Sequence, residues 1–318
     1  MNVRRRLISA TAVTAATALG LGALSACSSD SAATGNTDKF DVVASFYPMA
    51  FLAEQIGGDH ANVTSLTEPG QEPHDLEIST KQRAQLEEAD AALYLKGLQP
   101  AVDEAVSQTG IKTKIDAAGL TTLEDHGGTE HAHEGEEGHA EEEEHARDPH
   151  IWLDPVKYAE VAEGVGKAFE KADPDHAADY KKNTAALVEK LNGLNGEFEN
   201  GLKDTKTKVF FTNHAAFGYL AERYGLTQEA ISGLDPESEP SAARVRELQQ
   251  EAKADGVTTV FYETLVSDKT AKTLAKDAKL KTDVLDPLEG ITDKSRGDDY
   301  FQVMEANLKA LQAALGAK

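Results

Sequence analysis

Residues 173–203 read DPDHAADYKKNTAALVEKLNGLNGEFENGLK. The apolar side chains Tyr180, Leu187, Val188, Leu191, Leu194, Phe198 and Leu202 recur at three- and four-residue steps, the spacing of one face of a helix. Asp173 reads as an N-cap and Pro174 as the first helical residue, where a missing N–H costs nothing. Gly193, Gly196 and Gly201 weaken the helix locally. About thirty residues at 1.5 Å each reach roughly 45 Å. That is long for a connection inside one α/β unit and sufficient to run along two.

On either side the pattern changes to short apolar runs alternating with helical stretches. Before the long helix, strands are predicted at Phe40–Phe46, Asn62–Thr67, Ala91–Lys96 and Ile111–Ala117. Helices are predicted at Tyr47–Ile56, Ser79–Ala89, Gln99–Gln108 and Asp154–Lys171, with Ser79 as an N-cap. After it, strands are expected at Lys208–Asn213, Gln228–Ser232, Val257–Glu263 and Lys281–Asp286. Helices are expected at His214–Tyr224, Ser241–Ala254, Lys269–Leu280 and Asp299–Leu315. Two such series argue for an α/β fold of two lobes, each with a roughly four-stranded parallel sheet flanked by helices, joined by one long rigid helix. The expected boundaries are 40–172, 173–203 and 204–318.

The start of the chain differs. Met1-Asn2-Val3-Arg4-Arg5-Arg6 precedes an apolar Ala/Leu/Thr/Gly run to Ala26, a charged n-region and h-region of a signal peptide over 1–26. Leu24-Ser25-Ala26-Cys27 resembles a bacterial lipobox, with Cys27 as the lipidated residue. It is the one cysteine of the chain, so no intrachain disulfide can form. Residues 27–39 are small and polar and read as a flexible tether. No second run of eighteen apolar residues follows. Without 1–26 and its three arginines, 29 Lys+Arg face 55 Asp+Glu, a formal charge of −26. That balance opposes nucleic acid and anionic lipid head groups and suits a cationic ligand.

The tract 124–147 breaks the βα rhythm with His126, His131, His133, His139 and His145 among many glutamates. Its composition favours disorder and weak metal binding without fixed geometry. It runs into Asp148-Pro149-His150-Ile151-Trp152-Leu153-Asp154-Pro155. His60 and His176 read as surface residues. His74, in Glu72-Pro73-His74-Asp75, and His214, in Asn213-His214-Ala215, each follow a strand, and Asp286 ends one. Ligands of parallel α/β sheets bind beyond the carboxyl ends of strands. A single histidine there is as readily a hydrogen-bonded structural residue. Three such histidines with a carboxylate, His74, His150, His214 and Asp286, suit tetrahedral zinc.

Four segments carry a family resemblance: Glu72-Pro73-His74-Asp75; 148–155; Asn213-His214-Ala215-Ala216-Phe217-Gly218-Tyr219-Leu220 with Tyr224-Gly225-Leu226; and Leu285-Asp286-Pro287-Leu288. In these the chain resembles the substrate-binding lipoproteins of bacterial zinc and manganese ABC importers, over about residues 38–316. The resemblance implies a metal held between two lobes by His74, His150, His214 and Asp286, with Glu263 orienting a ligand from behind. A histidine at the third position and the acidic histidine-rich loop place Zn²⁺ ahead of manganese, with the loop histidines as auxiliary zinc ligands. It implies a monomeric, non-enzymatic protein, lipid-anchored at the outer face of the cell membrane, that delivers zinc to an ABC permease and its ATPase. The alternatives are a manganese-binding homologue, a surface adhesin and a zinc hydrolase. Against the last, no HExxH pair or evident general base is present, and a fourth protein ligand would close the position that a catalytic zinc keeps open.

Overall fold

In the computed structural model, residues 39–126 and 147–317 are described, all within one compact unit spanning 37–318. Cys27, His131, His133, His139 and His145, with the expected signal peptide and most of the tether, lie outside the described residues. Among the described residues eight strands form two four-stranded parallel sheets. The first contains β1 (Phe40–Ala44), β2 (Ala61–Ser65), β3 (Ala91–Tyr94) and β4 (Thr113–Asp116) in the order β2-β1-β3-β4. The second contains β5 (Val209–Thr212), β6 (Thr227–Ala230), β7 (Thr259–Tyr262) and β8 (Lys281–Val284) in the order β6-β5-β7-β8. The chain thus lays out the same topology twice. In each sheet the direction of winding reverses beside the first strand, which opens a crevice at the strand ends there.

The helices of the first half are α1 (Tyr47–Gly57), α2 (Thr80–Glu88), α3 (Pro100–Gln108) and α4 (Pro155–Ala172). Those of the second are α6 (Gly218–Arg223), α7 (Ala242–Ala254), α8 (Lys269–Ala278) and α9 (Tyr300–Leu315). Alternation along the strands sorts them to the two faces. Val42 and Ala44 of β1 and Phe210 of β5 enter one large apolar core that also takes residues of α1, α4, α6 and α9. Val43 faces α2 and α3 in a smaller cluster, and Phe211 faces α7 and α8 in another. The caps are local and legible. Ser79 and Gln82 form a reciprocal capping box at α2, Ser241 caps α7, and Asp154 accepts the N–H groups of Val156 and Lys157 at α4.

Between the halves runs α5 (Ala177–Leu202), 26 residues or about 39 Å. It buries Tyr180, Leu187, Leu191, Leu194, Phe198 and Leu202, and packs on α1 and α4 of the first half and on α9 of the second. Its start differs from the expectation. Pro174–His176 form a separate 3-10 turn, and Asp173 caps nothing with its side chain. The Asp173 carboxylate accepts instead from Tyr180 Oη at 2.6 Å and meets His176 Nδ1 at 2.7 Å. Two aromatic hydrogen-bond donors one and two turns away compete better for that carboxylate than a backbone N–H does. The expected helix from His214 is also shorter, because residues 214–217 are spent on the site.

Candidate metal centre

His214 follows β5 directly and Glu263 follows β7, the two strands that flank the reversal of the second sheet. His214 is buried, and its Nδ1 meets Glu263 Oε1 at 2.5 Å. Its carbonyl accepts from Thr212 Oγ1 and Gln228 Nε2, which fixes the backbone beneath the ring. A carboxylate on Nδ1 sets the tautomer and leaves Nε2 to point outward as a donor to metal.

His150 is held the same way. Asp148 Oδ1 accepts both His150 N–H at 2.9 Å and the ring Nδ1 at 2.8 Å. A 3-10 turn, Ile151–Leu153, follows, entirely buried. Within it Trp152 stands edge-on to Phe46 at 5.0 Å and donates Nε1–H to Pro287 O at 2.7 Å. Tyr300 Oη donates to Trp152 O at 2.7 Å. Asp154 completes the segment by capping α4 and pairing with Arg223 at 2.6 Å. The distinctive DPHIWLDP run therefore presents one ligand and ties the first half to the second.

His74 lies in the loop after β2. Glu72 folds back on its own backbone, Oε1 accepting from His74 N at 3.1 Å and Oε2 from Asp75 N at 3.2 Å. The His74 side chain is 12% exposed, whereas those of His150 and His214 are fully buried.

The three Nε2 atoms converge on Glu289. Its Oε1 lies 3.2 Å from His74 Nε2, 3.3 Å from His150 Nε2 and 3.4 Å from His214 Nε2. His150 Nε2 and His214 Nε2 are 3.4 Å apart. Glu289 is fully buried, and its Oε2 has no hydrogen-bond partner among the described residues. Burial opposes charge on the His214 ring, but Glu263 and Glu289 outweigh it and hold its pKa well above the usual imidazole value. Burial likewise opposes charge on His150, and Asp148 and Glu289 raise its pKa. Glu289 is held well below the usual carboxylate range by His214, His150 and His74 despite its burial.

Asp286, the carboxylate expected from sequence, is not in this cluster. Both its oxygens are engaged elsewhere. Oδ1 accepts from Leu288 N at 2.9 Å, and Oδ2 from Ser295 Oγ at 3.0 Å and Thr264 Oγ1 at 3.3 Å. Asn307 brackets the residue, accepting from its N–H and donating to its carbonyl. Asp286 thereby braces a sharp reversal in which buried Leu288 takes φ 59°, a left-handed conformation unusual for a leucine. The reversal delivers Glu289 to the three imidazoles. The sequence carries a faint signal for this, since Pro287 and Gly290 mark a turn after the strand and Glu289 is the acid inside it.

His126 also departs from the expectation that it lacks fixed geometry. Its Nδ1 meets Asp148 Oδ2 at 2.9 Å and its Nε2 meets Glu222 Oε2 at 2.9 Å. The tract is anchored at its base by Asp148 N donating to Glu124 O at 2.9 Å. Tyr219 Oη donates to Asp148 O and accepts from Glu124 N. Of the remaining histidines, His60 and His176 stack on each other at 4.1 Å, beside Asp179 and Asp173 respectively, and belong to no metal-competent cluster among the described residues. Among the described residues no helix is long and apolar enough to cross a membrane.

Residues 42–314 match the family model described as zinc-uptake complex component A, periplasmic. The chain belongs to that family. It is 41% identical over 300 residues to the zinc-binding lipoprotein AdcA of Streptococcus pneumoniae, covering 91% of this chain and 58% of the relative. This chain thus spans a little over half the length of that relative. It is 36% identical over 316 residues to the high-affinity zinc uptake system protein ZnuA of Bacillus subtilis, covering 94% of this chain and 98% of the relative. Among solved structures it is similar to the Zn(II)-bound ZnuA-like domain of Streptococcus pneumoniae AdcA. The TM-score is 0.71 and the identity 37%, over 87% of this chain and 99% of that one. The family match and these relatives agree with the two-sheet α/β architecture expected from the sequence.

Proposed function

We propose that this protein captures Zn²⁺ between its two sheets and passes it to an ABC permease and its ATPase. The ligands in this reading are Nε2 of His74, His150 and His214 and the carboxylate of Glu289. The observation that carries it is the spacing of those donors. Zinc bonds of 2.0–2.1 Å at tetrahedral angles separate ligand atoms by about 3.3 Å. Four of the six separations are 3.2, 3.3, 3.4 and 3.4 Å, namely those of Glu289 Oε1 to each imidazole and of His150 to His214. Three imidazoles and one carboxylate also favour zinc over manganese, which suits oxygen-rich octahedral sites.

Asp148 and Glu263 orient two of the imidazoles through Nδ1 and raise their basicity toward the ion. His74 is the ligand that touches solvent, so the ion enters and leaves past the 72–75 turn. The residue pairs Trp152–Pro287 and Tyr300–Trp152 keep the two halves in register around the ion, with α5 as the rigid spine between units 40–172 and 204–318. Four protein donors complete the shell and leave no open position for a metal-bound nucleophile, so the site is that of a carrier and not of a hydrolase. Lipidation at Cys27 would tether the domain as a monomer outside the cytoplasmic membrane.

The test is elemental analysis of protein purified without added metal, followed by competitive zinc titration of the variants Glu289→Ala and Asp286→Ala. Near-stoichiometric zinc, with Glu289→Ala the more damaging of the two, supports the reading. Zinc-dependent hydrolase activity that disappears in His214→Ala would overturn it.

A further inference from the structure

Asp148 is a fully buried carboxylate that serves two histidines. Oδ1 accepts from the backbone N–H and from Nδ1 of His150, and Oδ2 faces Nδ1 of His126 at 2.9 Å. A carboxylate held by one oxygen alone can turn about its Cβ–Cγ bond, a soft torsion, and its plane then drifts away from the ring it orients. A buried oxygen left without a donor also keeps its full desolvation cost. His126 meets both needs. It fixes the carboxylate plane from the second oxygen and is the partner of Oδ2 among the described residues.

The His126 ring is itself fixed. Its Nε2 meets Glu222 Oε2 at 2.9 Å, and Tyr219 stands at right angles to it with centroids 4.5 Å apart. Gly218, at the start of α6, leaves the space. A Cβ there would fall 2.4 Å from the His126 Cβ and 2.8 Å from Asp148 Oδ2. The backbone is pinned too. Glu124 N donates to Tyr219 Oη, Asp148 N donates to Glu124 O, and Tyr219 Oη donates to Asp148 O. Lys157 Nζ donates to Thr122 O at 2.9 Å and pairs with Glu124 Oε1 at 2.7 Å. Segments 122–126 and 148–150 and the start of α6 therefore meet around one carboxylate.

We propose that His126 is a positioning residue for zinc capture: acting through Asp148, it holds the His150 imidazole at the angle the ion requires. The inference deepens the interlobe reading and rests on it. Its role is to place a ligand and not to donate to metal. The other side-chain hydrogen bonds of Asp148 among the described residues all go to His150, so a change at His126 has one direct path to the site. The support is a continuous row, Glu222–His126–Asp148–His150, that runs from a half-exposed helix side chain to a fully buried ligand. The histidine at the base of the 124–147 tract is thereby part of the frame of the interlobe site.

The test reads the Zn²⁺ affinity of the full chain by competition with a chelator, which follows the tight binding event alone. His126→Ala should weaken that event about fivefold, below the 10–100-fold of a partner that touches a ligand ring directly. His126→Asn, whose amide N–H can stand near the place of Nδ1, should return affinity to within about twofold. In an Asp148→Asn background His126→Ala should add less than about twofold, because the two residues act in series. A second readout needs no metal. The Nδ1 proton of His150 in the zinc-free chain, followed by nitrogen–proton correlation NMR, should lie downfield in the unsubstituted chain and in His126→Asn. In His126→Ala it should broaden or move upfield. The proposal is overturned if either readout is unmoved by His126→Ala, if His126→Asn fails to restore them, or if the losses at His126 and Asp148 multiply in full. Failure of the interlobe reading looks different: the tight event is then missing from the unsubstituted chain, while the His150 proton still responds to His126→Ala.

Discussion

His150 and His126 hang from the two oxygens of one carboxylate, yet they end in opposite surroundings. His150 is fully buried, with Glu289 and two further imidazoles in front of its Nε2. His126 faces Glu222 at a rim open to solvent and shares its neighbourhood with a lysine. Orientation through Nδ1 is common to both, so orientation alone does not make a metal site. What differs is the number of donors brought to one point and the exclusion of water, which strengthens every charge interaction inside.

The strongest way to break the comparison is to remove a donor from the enclosed side. His214→Ala should weaken zinc binding by more than about 100-fold, beyond the range of outer-shell changes. Competition with a chromophoric chelator measures this. Asp148→Asn should cost about 10–100-fold at the interlobe site, because the His150 imidazole loses its support. If zinc affinity is unchanged, the orienting role of Asp148 is wrong. Glu289 and Asp286 sharpen the comparison within the enclosed side. Glu289→Gln removes charge from the donor cluster, whereas Asp286→Asn loosens the turn that places it, so the first should lower affinity more than the second.

The pH dependence follows in size. The carboxylates around His150 and His214 raise the pKa of both rings in the protein without metal. Zinc must displace those protons, so affinity falls as pH falls. The decline should begin above the ordinary imidazole value of about 6.5. Each proton displaced contributes about tenfold per pH unit. A titration series between pH 8 and 6 checks the onset, and a flat profile down to 6.5 would contradict it. The smallest effect on metal is expected from Gly166→Ala. Its Cβ would fall 2.2 Å from Thr184 Oγ1, where α4 packs on α5. Overpacking of this kind costs about 1–3 kcal/mol of stability. The melting temperature should drop with zinc affinity unchanged. A loss of zinc affinity instead would make the spine part of the site.

Much of the architecture was readable because its signals are local. The short apolar runs at β1 and β5, three- and four-residue periodicity along α5, and the Ser79 cap depend on residues a few positions apart. The doubled βα rhythm announced two parallel sheets, and the strand-end positions of His74 and His214 pointed to a crevice. Where the sequence misled, a distant partner decided. Asp173 lost its capping role to Tyr180 and His176. His126 read as part of a shapeless tract, but Gly218 and Tyr219, more than ninety residues on, give it a pocket.

The fourth carboxylate is the sharpest case. From sequence alone the chain specified most of its helices and strands, three histidines at strand ends or beside them, and an acid, Asp286, at the end of the last strand. It did not specify that Glu289, three residues on, is the acid that faces the histidines. That choice rests on Asn307, Ser295 and Thr264, which engage Asp286 from three other segments and stabilise a left-handed Leu288. Local propensity disfavours such a backbone, so no pattern within the turn announces it. Only the packed tertiary structure supplies the hydrogen bonds that offset its strain and turn Glu289 toward the histidines.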